Sequence, residues 1–415
     1  MATVRVLRNF INPVSAIGII KQGLEGGLSK EQKKEDKAVE APKPNALPQG
    51  YSEIMDTAVY RIAPKQKDSK RPAPLVFFIP GNPGISEYYT VYLQHLAEMY
   101  PTYEFVCPSY RGYSTFNPAS FKEDLYSLQD QIDNKVKILR HVVAESKCET
   151  CSFDGYESDD TLGGSDGPRF STPPSSRRSS IDSLDSMGSI SSGETLLGSF
   201  TAAETEGRPV ILMGHSLGGW LVQRVAVAVA NDPQLDLQLV CLMTPTLKEL
   251  AKSSTGQKLK TLARQYPLPG GVLARGLQVA QKVSPLWTRV EQQFLSDALP
   301  PHIVQATRGF VSQPSIIRQW IEMGKEELVA IGTDCNDVVD FWHNNGKFKI
   351  WGFFAHQDQF VDNETREDIF NEWGHLNHVT FDVGAEEIIH GFCIHHNQEV
   401  AQLTKQQFDQ LPLHF

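Results

Sequence analysis

Six short runs of consecutive apolar residues stand out along the chain, each bounded by Gly, Pro or polar residues. They are LVFFIP from Leu75, YEFVCPSY at 103–110, RPVILMG from Arg208, LDLQLVCLMTP at 235–245, KFKIWGFFAHQD at 347–358 and HVTFDV at 378–383. Such runs mark strands of a parallel sheet covered on both faces, where no position has to meet water. Between the first two, 88–99 has helical spacing, and Leu128, Ile132, Val136, Leu139 and Val143 then fall on one helical face. Strand, helix, strand, helix is the rhythm of an α/β fold, and all six strands are expected in one sheet.

The rhythm is interrupted in three places. Residues 1–50 begin with Arg5, Arg8 and Lys21 and no acid before Glu25, then become KEQKKEDKAVEAPKPNALPQG. The second half reads as a linker. The first half is open to three readings: a transit peptide, a membrane-surface helix that Pro13 would interrupt, or a frayed terminus. Residues 146–207 are rich in Ser, Gly and Asp and poor in branched apolar side chains. That composition offers too little burial to offset the entropy of ordering, so a disordered insertion is expected. Residues 248–345 are helical in pattern and longer than a crossover needs, which suggests a cap over the carboxyl edge of the sheet. Residues 51–415 then form one domain carrying both interruptions, with about 300 residues outside the tails and insertion, enough for a well-buried core.

Gly214-His215-Ser216-Leu217-Gly218 lies between the apolar run Val210–Met213 and the helical run Trp220–Val229. A G-x-S-x-G string has meaning in that strand–turn–helix setting, where it presents a nucleophilic serine on a tight turn. The Leu217 N–H would then lie at a helix start, pointing where an oxyanion forms. A second donor is expected after the first apolar run, in Pro80-Gly81-Asn82-Pro83-Gly84. Pro83 has no N–H, which makes Asn82 the candidate. In the order Ser, Asp, His, the acid follows the fifth run, where Asp358 is better placed than Asp362 or Asp334. Of the late histidines 375, 378, 390, 395 and 396, His390 sits in a loop after the last strand, just before an expected helix from Phe392 to Leu403. His356, two residues before Asp358, reads as a supporting or core residue.

FFIPGNPGISEYY, GHSLGG, FAHQDQFV and IIHGFCIHHNQEVA together resemble the lipid droplet-associated serine hydrolases. That α/β-hydrolase family is marked by a PGNPG strand-loop, GHSxG and a late H-x-F segment. The likeness spans about 72–403 apart from the insertion, and PTLKELAKSSTGQ after the fourth strand resembles the start of the family's cap. It implies an α/β-hydrolase fold, a mostly parallel sheet flanked by helices with a helical cap. It also implies a Ser-His-Asp ester or lipid hydrolase on droplets and the endoplasmic reticulum, for which the cytoplasmic face is expected; no cofactor and no metal are expected. The long insertion and the N-terminal extension depart from the family pattern.

Charge refines the choice of partners. The 415 residues carry 49 Asp+Glu against 39 Lys+Arg, a formal net charge of −10, which gives no global attraction for nucleic acid. Against that background, 251–290 contain no acid and seven cations: Lys252, Lys258, Lys260, Arg264, Arg275, Lys282 and Arg289. Leu286 and Trp287 lie among them. A basic, apolar stretch at the active-site edge suits a lipid surface, with cations at phosphates and Trp287 at headgroup depth. The same apolar residues could instead line an acyl pocket. Arg275, Lys282, Leu286, Trp287 and Arg289 are the candidate lipid contacts. Arg177-Arg178-Ser179-Ser180 resembles a basic-directed kinase site, so Ser179 and Ser180 are candidates for regulatory charge. Six scattered Cys fit a reducing compartment, and the Cys148/Cys151 pair alone is short of a four-ligand zinc site.

Two functions of different class follow from the sequence. One is a serine hydrolase acting on an ester of a hydrophobic acid. The other is a droplet-surface organiser that keeps the hydrolase fold with little turnover. A small-ester carboxylesterase, a thioesterase and a peptidase are the other enzymes consistent with the motifs.

Overall fold

The computed structural model describes residues 48–66, 71–114, 124–151, 207–265, 299–332 and 336–412. Most of the N-terminal extension and of the Ser-rich insertion, including Ser179 and Ser180, lies outside the described residues. So do Asp334 and the candidate lipid contacts Arg275, Lys282, Leu286, Trp287 and Arg289.

Eight strands form one sheet: β1 Tyr51–Ile54, β2 Thr57–Ile62, β3 Leu75–Ile79, β4 Glu104–Pro108, β5 Arg208–His215, β6 Leu235–Met243, β7 Lys349–Phe354 and β8 Val379–Val383. Their order is β1-β2-β4-β3-β5-β6-β7-β8. β1 and β2 pair antiparallel, as do β2 and β4, and every other neighbour is parallel. This is an α/β-hydrolase fold.

The six apolar runs are β3 to β8, and the sequence reading missed β1 and β2. These two strands are short, and the turn between them uses Met55 and Asp56, both at positive φ (52° and 57°). A two-residue turn of that kind matches the twist of a hairpin, but it usually announces itself as Asn-Gly. Strand β3 is apolar and buried throughout, and β4 and β6 are buried and apolar over Phe105–Cys107 and Leu239–Met243, because all three are flanked on both sides, whereas the edge strand β8 buries little beyond Val379.

Five helices cover the two faces: α1 Thr90–Met99, α2 Leu128–Cys151, α3 Leu217–Val229, and, later in the chain, two more at Asn363–Trp373 and Asn397–Phe408. Helix α2 continues to Cys151, several residues into the stretch expected to be disordered. Within 248–345 the described helices are α4 Ser254–Gln265, α5 Pro301–Val311, α6 Pro314–Ala330 and the short α7 Val339–Trp342, so the two late face helices become α8 and α9. Helix α9 starts later than its apolar spacing suggested. Phe392, Cys393 and Ile394 are buried core residues in a series of turns, so their spacing reflects packing and not a helix. As a result, His395 and His396 precede the helix.

At the amino end of the sheet, where β4 and β5 begin, the Arg208 guanidinium meets Glu104 at 2.6 Å with both side chains nearly inaccessible. Arg61 also pairs with Glu104 and holds Glu145 at 2.8 Å. Breaking such a buried pair from one side typically costs about 3–5 kcal/mol. The parallel strands all run away from this end, which brings the loops after β3, β5, β6, β7 and β8 to the opposite edge.

Candidate active site

Ser216 stands between β5 and α3 with φ 54° and ψ −121°. A non-glycine residue in that region stores about 1–3 kcal/mol of strain, which the surroundings must hold in place. They do so through the backbone. The Ser216 N–H donates to the Met243 carbonyl at 3.1 Å, and its carbonyl accepts from Gly219 at 2.9 Å and Thr246 at 3.3 Å. Helix α3 packs so closely on β3 that a Cβ at Gly218 would lie 2.2 Å from the Ile79 carbonyl oxygen. The sequence therefore needs glycine there for the turn to close.

Three of the sequence candidates meet at this point. The Ser216 hydroxyl lies 2.9 Å from His390 Nε2, and His390 Nδ1 lies 2.7 Å from Asp358 Oδ2. A carboxylate only accepts, so Nδ1 carries the proton and Nε2 is left to accept from Ser216. The other Asp358 oxygen takes the Phe360 N–H at 2.7 Å, which fixes the carboxylate plane. The His390 and Asp358 side chains are almost fully buried, and the Phe360 ring packs against the imidazole with centroids 4.5 Å apart. The other late histidines are elsewhere. His378 bonds the Trp342 carbonyl and His396 pairs with Glu399. Asp362 opens α8 and makes no side-chain capping bond there.

The expected oxyanion donors are also adjacent. Leu217 is the first residue of α3, so its N–H has no acceptor within the helix. The loop after β3 passes directly over Ser216, since a Cβ on Gly81 would lie 2.9 Å from Ser216 Cβ. The Gly81 N–H is already used, donating to Tyr89 Oη at 2.9 Å. With Pro83 lacking a donor, Asn82 supplies the next backbone N–H of this loop.

Several neighbours had no signal in the motifs. His215, the variable residue of the G-x-S-x-G string, is buried, and its Nε2 lies 2.8 Å from the His390 carbonyl. That carbonyl can only accept, so Nε2 carries the proton and Nδ1 accepts from Tyr89 Oη at 2.7 Å. Burial, reinforced by the neighbouring His390, lowers the His215 pKa to about 3, so its ring stays neutral. Thr244 donates to the same His390 carbonyl at 2.9 Å. Arg366 on α8 donates to the Ala355 and His356 carbonyls at 3.1 and 2.9 Å and braces the loop that carries Asp358. His356 thus serves that loop through its backbone. Only tertiary proximity reveals these roles, although Tyr89 lies within the FFIPGNPGISEYY segment.

The sequence model of the lipid-droplet associated hydrolase family matches residues 72–153 and 182–393, well over half of the chain. The chain belongs to the lipid-droplet associated hydrolase family. It is an enzyme, a hydrolase on the α/β-hydrolase fold. Solved structures similar to it include a carboxylesterase of the thaumarchaeon Nitrososphaera gargenis, at 12% identity, covering 86% of this chain and 97% of that one with a TM-score of 0.45. An esterase of Exiguobacterium antarcticum matches at 13% identity, 87% and 99% coverage and TM-score 0.45. A serine hydrolase of Cycloclasticus zankles matches at 14%, 86% and 97%, also with TM-score 0.45. Similarity at that level has no bearing on substrate.

Among the described residues, no group of three His, Cys, Asp or Glu side chains is arranged to hold a metal ion. Nor is any described helix long and apolar enough to cross a membrane. Cys107, Cys241 and Cys393 are free and buried.

Proposed function

We propose that this family member is a serine hydrolase that cleaves an ester of a hydrophobic acid, of the lipid or sterol ester class, at the lipid droplet surface. The observation that carries this reading is the continuous hydrogen-bonded chain from Ser216 Oγ through His390 to Asp358, at 2.9 and 2.7 Å, beside two backbone donors. Ser216 Oγ attacks the carbonyl carbon while its proton passes to His390 Nε2. Asp358 remains ionised and stabilises the imidazolium. The carbonyl oxygen becomes an oxyanion that receives the Leu217 and Asn82 N–H groups. His390 then protonates the departing alcohol oxygen, leaving Ser216 acylated. Water repeats the sequence and releases the acid.

The family description and the basic, apolar 251–290 stretch support a lipid surface as the workplace, with peripheral attachment to droplets and the cytoplasmic face of the endoplasmic reticulum. The partner is then the lipid itself, and neither nucleic acid nor a cofactor takes part. The test compares lipid extracts incubated with wild type and with Ser216→Ala, alongside labelling by a fluorophosphonate probe. One lipid ester should disappear and its acid appear only with wild type, and labelling should vanish in the variant. Ester loss that persists in Ser216→Ala would remove Ser216 from the chemistry. Labelling of wild type with no lipid consumed would favour the low-turnover organiser.

A further inference from the structure

Helix α6 (Pro314–Ala330) meets the segments that follow β3 and β4 through one row of polar and sulfur-bearing side chains. Gln319 accepts the Tyr126 N–H and donates to the Tyr126 carbonyl, both at 2.7 Å. One turn on, Met323 Sδ lies 3.7 Å from the Tyr113 hydroxyl oxygen. A further turn on, Glu327 Oε1 accepts the side-chain amide N–H of Asn82. Positions 319, 323 and 327 are four apart, so they lie in a row along one face. The residue before Glu327, Glu326, accepts the Leu128 N–H at 3.1 Å. Beyond the helix, the Gly332 and Ile331 carbonyls accept Glu249 and Leu250 N–H groups from the chain after β6. The helix is therefore fastened along its length, and its Glu327 ends on the residue that offers the oxyanion its backbone N–H.

Asn82 is held from both ends of its amide. Its Nδ2 donates to Glu327, and its Oδ1 accepts the Tyr113 hydroxyl at 3.4 Å. The preceding residue, Gly81, is pinned through its N–H to Tyr89. The Asn82 side chain thus adds a tie from outside the loop to those the loop backbone makes at Gly81 and Pro83. We propose that Glu327 is a positioning residue for catalysis: from the 248–345 segment it grips the Asn82 side chain and so aims the Asn82 N–H at the developing oxyanion. This rests on the serine hydrolase reading above, in which Asn82 is a donor.

The charge state of Glu327 fits that task. A carboxylate this close would oppose an oxyanion, whereas a neutral acid keeps the accepting oxygen without the charge. Burial, opposed by the Asn82 bond and reinforced by Glu326, raises its pKa to about 8. The groups facing it from the loop after β4 are the Tyr110 and Tyr113 phenols, both buried and pushed further up by burial and by Glu327 itself. From the loop after β3 the facing group is the uncharged Asn82. The acid is thus neutral at pH 7 and ionises as pH rises through about 8.

The test uses the full chain with Glu327→Gln, Glu327→Leu and Ser216→Ala, read by turnover of a p-nitrophenyl ester and by fluorophosphonate labelling rate from pH 6 to 9.5. Glu327→Leu should lose about 10²-fold in kcat with little change in KM, the usual consequence of displacing a catalytic group by about 1 Å. Glu327→Gln keeps the accepting oxygen and should stay within about threefold of wild type at pH 7, a small change on the scale of a lost donor. Wild type should lose kcat as pH rises through about 8, and Glu327→Gln should not. The inference is overturned if Glu327→Leu turns over like wild type, if Glu327→Gln is as impaired as Glu327→Leu, or if Glu327→Gln keeps the alkaline loss. Should Glu327→Leu fail to fold, the Gln variant decides through its rate and its pH profile. Turnover that survives Ser216→Ala defeats the underlying hydrolase reading. A dead Ser216→Ala with normal Glu327 variants defeats the positioning role alone.

Discussion

His215 donates its Nε2–H to the backbone carbonyl of His390 at 2.8 Å, while the His390 side chain reaches back to Ser216, the residue next to His215. Two consecutive residues of the turn thus hold His390, one by its backbone and one by its side chain. The clasp extends from His215 Nδ1 through Tyr89 to the Gly81 N–H, so the loops after β3 and β8 are registered on one neutral imidazole. Replacing His215 by Phe fills the volume and removes both bonds. That variant should lose roughly 10–10²-fold in kcat, the scale of a sub-ångström to 1 Å misplacement. Because His215 stays neutral, the acid limb of the activity profile should not move. A displaced limb would mean that His215 titrates with the reaction.

Asp358 and Asp362 are close in sequence and differ in what they touch. Asp358 bonds His390, whereas Asp362 offers its backbone carbonyl to Arg366 at 2.9 Å as α8 begins. Asp358→Asn should reduce kcat by about 10⁴, since an amide at this place favours the wrong tautomer of the base. Asp362→Asn should retain most activity. Steady-state kinetics of the two variants on one ester checks this, and the reverse ranking would transfer the orienting role to Asp362.

Lys135 on α2 is fully buried, with Nζ donating to the Ser109 carbonyl at 2.7 Å and to Asn134 Oδ1 at 3.3 Å, and lying 5.1 Å from the Tyr110 ring centroid. It has no salt-bridge partner among the described residues. Burial lowers its pKa from 10.5 to about 7. Above pH 7 the native state has released a proton that the unfolded chain keeps until about 10.5, so this group makes stability rise with pH across that window. Melting of wild type and Lys135→Met at pH 7 and pH 9 measures it. Wild type should gain on the variant at the higher pH, and an unchanged gap would mean that Lys135 stays charged in the fold.

Surface attachment separates by its salt dependence. Each Lys or Arg near an anionic leaflet contributes roughly 1 kcal/mol that salt screens, whereas apolar insertion is not screened. Flotation of wild type on artificial droplets should weaken without vanishing as salt rises, and should fall sharply in Leu286→Glu/Trp287→Glu. Binding that ignores those changes and disappears on removal of the first 25 residues would move the contact to the N-terminal segment. Wild type that does not float at low salt would leave 251–290 to the acyl pocket.

Much of the fold and of the candidate site could be read from the sequence, for local reasons. Apolar runs identify β3 to β7 because strands covered on both faces admit few polar residues, while the edge strand β8 is legible as an alternation and buries little beyond Val379. Gly214-x-Ser216-x-Gly218 identifies the turn because helix α3 approaches β3 too closely for a side chain at 218. Chain order after parallel strands was enough to select Asp358 and His390 as candidates, since every parallel strand delivers its loop to the same edge. Strands β1 and β2 were missed because Met55-Asp56 takes a positive-φ turn without the residues that normally signal one. The start of α9 was misread because burial of Phe392 to Ile394 imitates helical periodicity.

Tertiary structure alone decided which polar groups meet across long separations. Glu327 and Asn82 are 245 positions apart, and His215 and the His390 carbonyl are 175 apart. Hydrogen bonds need partners within about 3 Å and aligned, and no spacing rule reaches across a crossover or a cap to specify them. Burial then gave these groups their chemistry. Burial lowers the His215 pKa and raises that of Glu327, which favours the neutral form of each, because a charged form there would lose its water without gaining an opposite charge.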